Sequence, residues 1–400
     1  MPTDQAELTF PFTTGSVLAP PAEFASLRAD RPCVQVTLPA GDLAWLVTRY
    51  DDVRRVLADN RFSRAAAEAP GAPRMGNTSP GPHTILGMDP PEHTRLRRLV
   101  ASAFTPRRVA ELRPRTQQIA EQLMMAVSVA PRPVDLMGCY ALQLPIKVIF
   151  ELLGVPFEDC DRLHALSEVI FSLGAHSPET VTAARAEIEE YLTDLIARRR
   201  REPSDDLLAS LVMARDSEGR LTETELLNFA LILLTVGHMS TANTLSSGLL
   251  VLISHPEEMG RLRAAPELLP AAVEELLRYN PFTLSGTQLR VAIEDVELAG
   301  VTIRAGEAVI ASIGAANRDP EVFDRPDLLD VDRGDSQHLA FGYGVHHCLG
   351  AQLARMELQV AIGTLLQKLP SPPELAVPVE WLTVRTGLTG RSLVTLPIQW

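Results

Sequence analysis

The chain has 400 residues, of which 46% are hydrophobic and 22% charged, so it is not a disordered protein and can bury a large core. Its formal net charge of −13 argues against nucleic acid or an anionic membrane surface as the main partner, because both are polyanions. We therefore expect it to bind a small molecule or another protein.

The cysteines and the apolar segments indicate a reducing, cytoplasmic setting. No C-x-x-C pair occurs among the widely spaced Cys33, Cys139, Cys160 and Cys348, which disfavours a zinc site and a disulfide framework. The first 15 residues lack the basic and apolar regions of a signal peptide. The apolar stretch 226–253 contains Asn, His and Ser residues, so we do not expect it to span a membrane.

In chain order, two β-like runs at 34–38 and 43–48 flank a turn at Gly41-Asp42 and predict a hairpin. Helical periodicity then dominates, at 51–59, 91–104, 106–129, 140–153, 179–201, 222–254, 267–279 and 349–368. Strand-like runs return near 287–303, 306–313 and 392–398. The segment 67–90 is rich in Ala, Gly, Pro and Ser and predicts a loop that covers a site.

These patterns predict a mainly α protein with a minor β component. Because no linker or composition break is evident, we expect one domain over 1–400, with a short extension over about residues 1–15. Thr222 and Glu225 form a T-x-x-E capping box at the start of the longest helix, and His255-Pro256 ends it. A helix of that length, about 48 Å, crosses a molecule of this size and must be central.

Residues 341–351 read Phe-Gly-Tyr-Gly-Val-His-His-Cys-Leu-Gly-Ala and lead into the helix at 349–368. A cysteine at a helix N-terminus has backbone N–H groups and the positive end of the helix dipole close by, and both favour a thiolate. Gly342, Gly344 and Gly350 allow tight turns and the close approach of a flat cofactor. A buried structural cysteine in a glycine-rich turn is the alternative interpretation of Cys348.

The full pattern F-G-x-G-x-x-x-C-x-G resembles the haem-binding signature of the cytochrome P-450 family, and the resemblance extends from about residue 30 to the end. It implies the P-450 fold, in which a long central helix lies over the haem. It also implies haem b (iron protoporphyrin IX) as cofactor and Cys348 as the metal ligand. Phe341, Gly342 and Gly350 would then be cofactor-binding residues, with Phe341 shielding the sulfur from water.

Two further motifs follow the resemblance in the expected order. Glu275 and Arg278 match the family's E-x-x-R motif and, with Arg333, its buried Glu-Arg-Arg network, although Arg318 could take the third place. The segment 89–98 resembles the family's third helix. The resemblance implies four haem-propionate partners, and ordinary surface charges are the alternative for each: His93, Arg97, Arg290 and His346.

The centre of the long helix departs from the family pattern Ala-Gly-x-Asp/Glu-Thr, in which the acid and the alcohol relay protons. Here it reads Val236-Gly237-His238-Met239-Ser240-Thr241. The resemblance makes Gly237, Met239, Ser240 and Thr241 the catalytic candidates. Gly237 is expected to keep the groove over the haem open, and Ser240 still offers a hydroxyl. Met239 cannot carry a proton.

Two explanations of this departure remain open. In the first, Ser240, ordered water and a substrate hydroxyl replace the acid, and ordinary hydroxylation continues. In the second, slow delivery of the second proton favours epoxidation or a less common oxidation. His238 is a substitute proton source only if its ring faces the haem, and its position next to the acid's place points it elsewhere.

Seven arginines and one acid lie between residues 95 and 115. A charge run is usually a solvated helix face, but the resemblance places this one on the thiolate side of the haem, where the family binds ferredoxins. We expect a ferredoxin, supplied by its reductase, to dock near Arg95, Arg98, Arg107, Arg108 and Arg113, with Arg97 and Arg115 completing the run. A monomer is expected.

The resemblance implies a bulky, moderately polar substrate and a natural-product tailoring role as a hydroxylase or epoxidase. A macrolide or other polyketide is favoured, as in antibiotic biosynthesis. The pocket segments are 67–88, 232–241, 282–287 and 386–389, with the side chains Ile232, Val236, Phe282, Leu284, Ser285 and Leu388. A haem sensor is disfavoured because no output domain is evident, and a peroxygenase because no arginine occurs in 226–250.

Overall fold

The computed structural model describes residues 8–14, 16–76, 81, 83–101, 104–170, 176–202, 204–216, 221–280, 289–333, 337–385 and 392–400. Their helices are α1 (Glu23–Asp30), α2 (Tyr50–Ala58), α3 (Glu92–Ala101), α4 (Pro106–Val129), α5 (Gln143–Leu153), α6 (Cys160–Ile170), α7 (Pro178–Arg201), α8 (Leu207–Asp216), α9 (Glu223–Ile253), α10 (Pro256–Ala264), α11 (Leu269–Tyr279), α12 (Ile313–Ala316) and α13 (Ala351–Lys368). The mainly α prediction is confirmed.

The strands are β1 (Cys33–Thr37), β2 (Leu43–Val47), β3 (Phe62–Ser63), β4 (Val134–Asp135), β5 (Arg290–Ala292), β6 (Val296–Leu298), β7 (Val301–Ile303), β8 (Ala308–Ala311), β9 (Glu374–Leu375), β10 (Val384–Arg385), β11 (Ser392–Leu393) and β12 (Pro397–Gln399). The main sheet has five strands in the order β1-β2-β8-β5-β3. Its β2–β8 pair is parallel and the other pairs are antiparallel. The predicted hairpin is confirmed as β1 and β2.

This sheet is covered on both faces. Leu46 and Ile310 face one apolar cluster, whereas their neighbours Val47 and Val309 face another. The alternation follows from the two-residue period of a strand. A third and larger cluster holds the helices together, with α9 packing against α5 and α13, and α13 lying along α4.

The long helix begins as the sequence predicts. The Thr222 hydroxyl accepts a hydrogen bond from the Glu225 backbone N–H, and the Glu225 carboxylate accepts one from the Thr222 N–H. By length and composition α9 is the one helix among the described residues that could cross a membrane. However, 61% of its most apolar window is buried in the protein, which is typical of a core helix.

Five helices of the described residues were not predicted, namely α1, α6, α8, α10 and α12. They are short, with 4 to 11 residues each, and their apolar residues do not form a long periodic run. Such helices are stabilised by packing against neighbours more than by their own propensity. The prediction for 140–153 was also too long, because a π-helical turn at Met137–Ala141 precedes α5.

Candidate active site

The cysteine loop lies between α2 and α13. The Cys348 N–H donates to the Phe341 carbonyl at 2.8 Å, which closes the loop. Gly342 and Gly344 have φ angles of +72° and +71°, which side chains rarely adopt. A Cβ on Gly344 would lie 2.7 Å from the Leu57 carbonyl oxygen. The close approach at Gly344 is therefore to the backbone of α2.

The thiol of Cys348 is less acidic than its helix position suggests. The residue is partly exposed, but many protein atoms surround its sulfur, and this desolvation raises the pKa of the Cys348 thiol above its ordinary value. The Gly350 N–H and the positive charges of Arg97 and Arg355 only partly oppose the rise. In the protein without a cofactor, desolvation therefore outweighs the groups that favour the thiolate. A coordinated metal cation removes a thiol proton outright.

Arg355, about one turn into α13, packs against the cysteine loop. Its guanidinium lies 4.5 Å from the centre of the Phe341 ring and forms a two-pronged ion pair with Glu274, with a shortest distance of 2.7 Å. Burial raises the pKa of Glu274, but hydrogen bonds from His338 and Arg355 outweigh it and lower the pKa to about 2. This set of residues was not predicted, although Arg355 lies only seven residues after Cys348 in the sequence.

Cationic and N–H donor side chains converge beside the cysteine loop. The rings of His93 and His346 lie 4.2 Å apart, and His93 Nδ1 and His346 Nε2 are buried without a hydrogen-bond partner in the described structure. Arg290 is 5% exposed and donates to the Phe62 carbonyl at 3.1 Å. The partly buried Arg97 donates to the His347 carbonyl. The structure thus brings together the four residues expected to bind propionates.

A further arginine, Arg64, which was not predicted, lies in the same cluster and is 4% exposed. Burial, then repulsion from Arg290, lowers the pKa of Arg64 to about 9. Burial also lowers the pKa of Arg290 to about 10, and burial with the neighbouring cations lowers that of His346 to about 2. Buried cations without carboxylate partners are unfavourable. The cluster therefore suits a ligand that brings carboxylates.

Glu275 is the centre of a buried ion-pair network on α11. Arg278 donates to both of its carboxylate oxygens, at 2.7 and 2.8 Å, and Arg333 donates at 3.1 Å. Arg318 instead binds the Tyr279 carbonyl and Asp327. Arg333, and not Arg318, contacts Glu275 in the described structure.

One face of α9 is partly exposed although the rest of the helix is buried. It carries Ile232, Val236, Met239 and Ser240, which recur at helical spacing. Thr241 is only 6% exposed and lies off this face. The catalytic role expected of Thr241 therefore stays a prediction. The Ser240 hydroxyl donates to the Val236 carbonyl at 3.4 Å.

Gly237 is partly exposed and also packs closely against α5. A Cβ at this position would lie 2.9 Å from Ile149 Cγ1 of α5. The glycine allows α5 and α9 to approach each other closely, so one of its functions is helix packing. That it keeps the groove over the haem open stays a prediction.

His238 faces away from the open face of α9. Its ring is fully buried, its Nδ1 lies 2.8 Å from the Leu234 carbonyl, and its Nε2 lies 3.0 Å from His164 Nδ1 of α6. Because a carbonyl only accepts, Nδ1 carries the proton and Nε2 accepts from His164. The proton on Nδ1 is held within the helix backbone, so His238 is not a proton source for the open face.

Gly237→Val is expected to reduce the free energy of unfolding by about 1–3 kcal/mol, because the added side chain overpacks against Ile149. Chemical denaturation measures this loss. Adding Ile149→Ala should recover part of it. Gly260→Val is the matched control, since a Cβ there meets nothing within 4 Å. An equal loss in the control would attribute the effect to helix propensity instead of packing.

Comparisons with known proteins decide the family. The family model for cytochrome P450 matches residues 41–372. The chain is 49% identical to a Nocardicin C N-oxygenase from Nocardia uniformis subsp. tsuyamanensis and 46% identical to a Mycinamicin IV hydroxylase/epoxidase from Micromonospora griseorubida, each match covering 98% of both chains. The chain belongs to the cytochrome P450 family. A solved structure of the mixed-function P450 MycG superposes with a TM-score of 0.91 at 45% identity, over 99% of this chain and 100% of that one.

Membership establishes the cofactor and the class of reaction. Proteins of this family bind haem b through a cysteine thiolate, and this P450 is a haem-thiolate monooxygenase. The unpaired ring nitrogens of His93 and His346 beside buried arginines fit the two carboxylates of haem. The donor set and the cofactor therefore agree.

The structure describes only some of the candidate pocket residues of the P450. Ile232 and Val236 lie on the open face of α9. Phe282, Leu284, Ser285 and Leu388 lie outside the described residues, as does part of the loop 67–88.

The arginine run of the P450 covers α3 and the start of α4. Six of its members are exposed: Arg95, Arg98, Arg107, Arg108, Arg113 and Arg115. Several have internal partners, since Arg95 binds Glu225, and Arg107 and Arg108 share Glu111. Arg98 also lines a shallow groove with Pro90, Thr94 and Leu99. Arg97 points to the cysteine loop and is not part of this surface.

Proposed function

We propose that this P450 inserts one oxygen atom of O2 into a bulky natural product, a macrolide or other polyketide, by hydroxylation or epoxidation. The observation that carries the proposal is the 46% identity, over 98% of both chains, to a relative named Mycinamicin IV hydroxylase/epoxidase. The apolar residues on the open face of α9 support a substrate that is mainly apolar. Oxidation at nitrogen is a second candidate, because another relative at 49% identity is named Nocardicin C N-oxygenase.

In this proposal Cys348 is the iron ligand, and His93, Arg97, Arg290 and His346 hold the haem carboxylates. Phe341, Gly342 and Gly350 form the surface that meets the porphyrin. Haem supplies the oxygen chemistry, favoured by electron density from the thiolate. The protein supplies orientation, exclusion of water and protons. Glu275, Arg278 and Arg333 support the cysteine loop and take no part in the reaction.

On the substrate side, Ile232 and Val236 position the substrate against the open face of α9. The Ser240 hydroxyl, which donates to the Val236 carbonyl, can turn to pass a proton from water. Met239 cannot donate a proton. The proton path therefore depends on Ser240, ordered water and the substrate.

The experiment that tests the proposal is a spectral titration of the holoenzyme with a panel of macrolides, other polyketides and amine-containing peptides. A compound of the true substrate class should displace the water bound to the iron, and the iron should then change from low spin to high spin. Turnover in isotopically labelled O2 should then place one labelled atom in the product. Mass spectrometry of that product separates C–OH, epoxide and N–O outcomes. Selective shifts and N–O products with the peptides would overturn the macrolide assignment.

We propose that electrons arrive from an acidic ferredoxin at the exposed arginines of α3 and α4. Bacterial P450s of this kind use ferredoxins. In a protein of net charge −13, this cationic surface stands out as a docking site for an acidic partner.

Ferredoxin-driven reduction should slow steeply as salt rises, since screening weakens the steering of charged partners. Replacing Arg98 and Arg108 by Glu should lower the low-salt reduction rate about tenfold or more. Stopped-flow reduction measures both effects. Arg304→Glu is the control, because Arg304 is exposed but lies outside the arginine run. A salt-independent rate would remove the docking proposal.

We further propose that the P450 functions as a single-domain monomer in the cytoplasm, without nucleic-acid or membrane partners. The net charge of −13 supports the absence of polyanionic partners. The burial of α9 in the core supports the absence of a membrane span.

A further inference from the structure

Arg64 directly follows β3, at the edge of the cation cluster. In the antiparallel pairing of β3 with β5, Ser63 lies opposite Val291, so the next position brings Arg64 opposite Arg290. Arg64 is 4% exposed and Arg290 is 5% exposed. Two guanidinium groups are therefore buried side by side, next to His93 and His346.

The contacts of Arg64 leave its charge only partly compensated, because Glu68 and Asp89 act on it at a distance without forming an ion pair. Its Nε donates to the Leu86 carbonyl at 2.9 Å, and its backbone N–H donates to Asp89 Oδ1 at 2.9 Å. Asp89 also accepts from the Ser63 hydroxyl. No carboxylate of the described residues forms an ion pair with the Arg64 guanidinium. Its two terminal nitrogens form no hydrogen bond in the described part of the chain.

A carboxylate ligand would resolve this arrangement. Burial and the charge of Arg290 lower the pKa of Arg64 more than Glu68 and Asp89 raise it, which agrees with a buried positive charge that lacks a direct anionic partner. An anion between Arg64 and Arg290 would offset the repulsion and accept hydrogen bonds from both. Haem brings two carboxylates, and the unpaired nitrogens of His93 and His346 lie in the same cluster.

We propose that Arg64 binds a carboxylate of haem and thereby connects the segment 83–89 to the cofactor through Leu86. The connection is the hydrogen bond that Arg64 Nε donates to the Leu86 carbonyl. It leaves the two terminal nitrogens of the same guanidinium free to bind the carboxylate. The proposal rests on the proposed function, because it requires haem in this site. It makes Arg64 a positioning residue that couples haem binding to order in the segment 83–89.

The first test is the rate of haem transfer from the holoenzyme to excess apomyoglobin. Arg64→Met should release haem about tenfold faster or more, because a charge-assisted hydrogen bond to a carboxylate is lost. Arg61→Met is the matched control, since Arg61 is near in sequence but pairs with Asp59 and is 39% exposed. Equal rates in the two variants would overturn the proposal.

The second test removes the carboxylates instead of the arginine. In enzyme reconstituted with the dimethyl ester of haem, Arg64→Met should have no further effect on release. If the variant accelerates release of the ester as much as that of haem, Arg64 does not act through a carboxylate and the proposal fails.

The third test measures the connection to the segment 83–89 by hydrogen exchange. The amides of Thr84 and Gly87, which are hydrogen-bonded locally, are the probes. Arg64→Lys keeps a cation but cannot reproduce the guanidinium fork. The Lys variant should release haem more slowly than the Met variant. Hydrogen exchange at both amides should nevertheless be faster than in the wild type. This variant keeps the test usable if Arg64→Met folds poorly, and unchanged exchange would refute the connection.

These outcomes are separate from failure of the proposed function. If the wild-type protein shows no haem-thiolate spectrum, the proposed function fails before Arg64 is tested. If the wild type binds haem normally and only the Arg64 comparisons fail, the function stands and this inference falls.

Discussion

Glu275→Gln is expected to lower the free energy of unfolding by about 3–5 kcal/mol, because it leaves a buried arginine without its counter-charge. The Arg278 side chain is 0% exposed and that of Glu275 is 1% exposed, so water cannot compensate. Arg333 would lose the same partner. Urea unfolding followed by circular dichroism measures the loss, and haem content should fall with it.

The neighbouring Glu274→Gln variant is the matched control. Glu274 is 21% exposed and its partner Arg355 is 24% exposed, so we expect a smaller loss. Because its pKa is lowered to about 2, Glu274 stabilises the fold above its unfolded pKa, and this contribution is lost as pH falls toward 2. The Gln variant should lack that part of the acid dependence. If both variants lost the same small amount of unfolding free energy, Glu275 would not be the centre of a stabilising buried network.

Met239→Glu is expected to raise the rate of product formation about tenfold or more and to increase the coupling of electron use to product, since a positioned acid contributes about 10²–10⁴-fold in rate. Met239 lies on the partly exposed face of α9, so a carboxyl group fits there without being fully buried. Turnover with a substrate found by spectral titration measures the effect, together with the ratio of hydroxylated to epoxidised product.

Met239→Gln is the control, because it has nearly the same shape as Glu but cannot exchange a proton at neutral pH. A shift from epoxide to alcohol in the Glu variant alone would support slow protonation as the cause of epoxidation. If Glu and Gln variants match the wild type in product and coupling, Ser240 and water already supply the protons. The hypothesis of an altered relay is then lost.

The sequence predicted the elements that carry strong local signals. The capping box fixed the start of α9 to within one residue, because it is a reciprocal pair of hydrogen bonds between neighbours in sequence. The cysteine loop and the Glu275–Arg278 pair were likewise visible as patterns of spacing. Each of these signals lies within one short segment.

The remaining features depend on residues that are distant in sequence. The packing of Ile149 against Gly237 could not be predicted, because the two residues are distant in sequence. The direction of Thr241 follows from which face of α9 the neighbouring helices cover. Arg64 follows a short strand, and only the pairing of β3 with β5 brings it to Arg290. The net acidity of Cys348 could not be predicted, because desolvation depends on the folded surroundings.

The most direct test of the haem-thiolate assignment is the carbon monoxide difference spectrum of the reduced protein, compared with that of Cys348→Ser. The wild type should show the thiolate-type Soret band, and the variant should lose it while Cys139→Ser, a control at a cysteine away from the site, keeps it. A wild-type protein that binds haem without that band, or a Cys348→Ser variant that retains it, would contradict the assignment of Cys348 as the iron ligand.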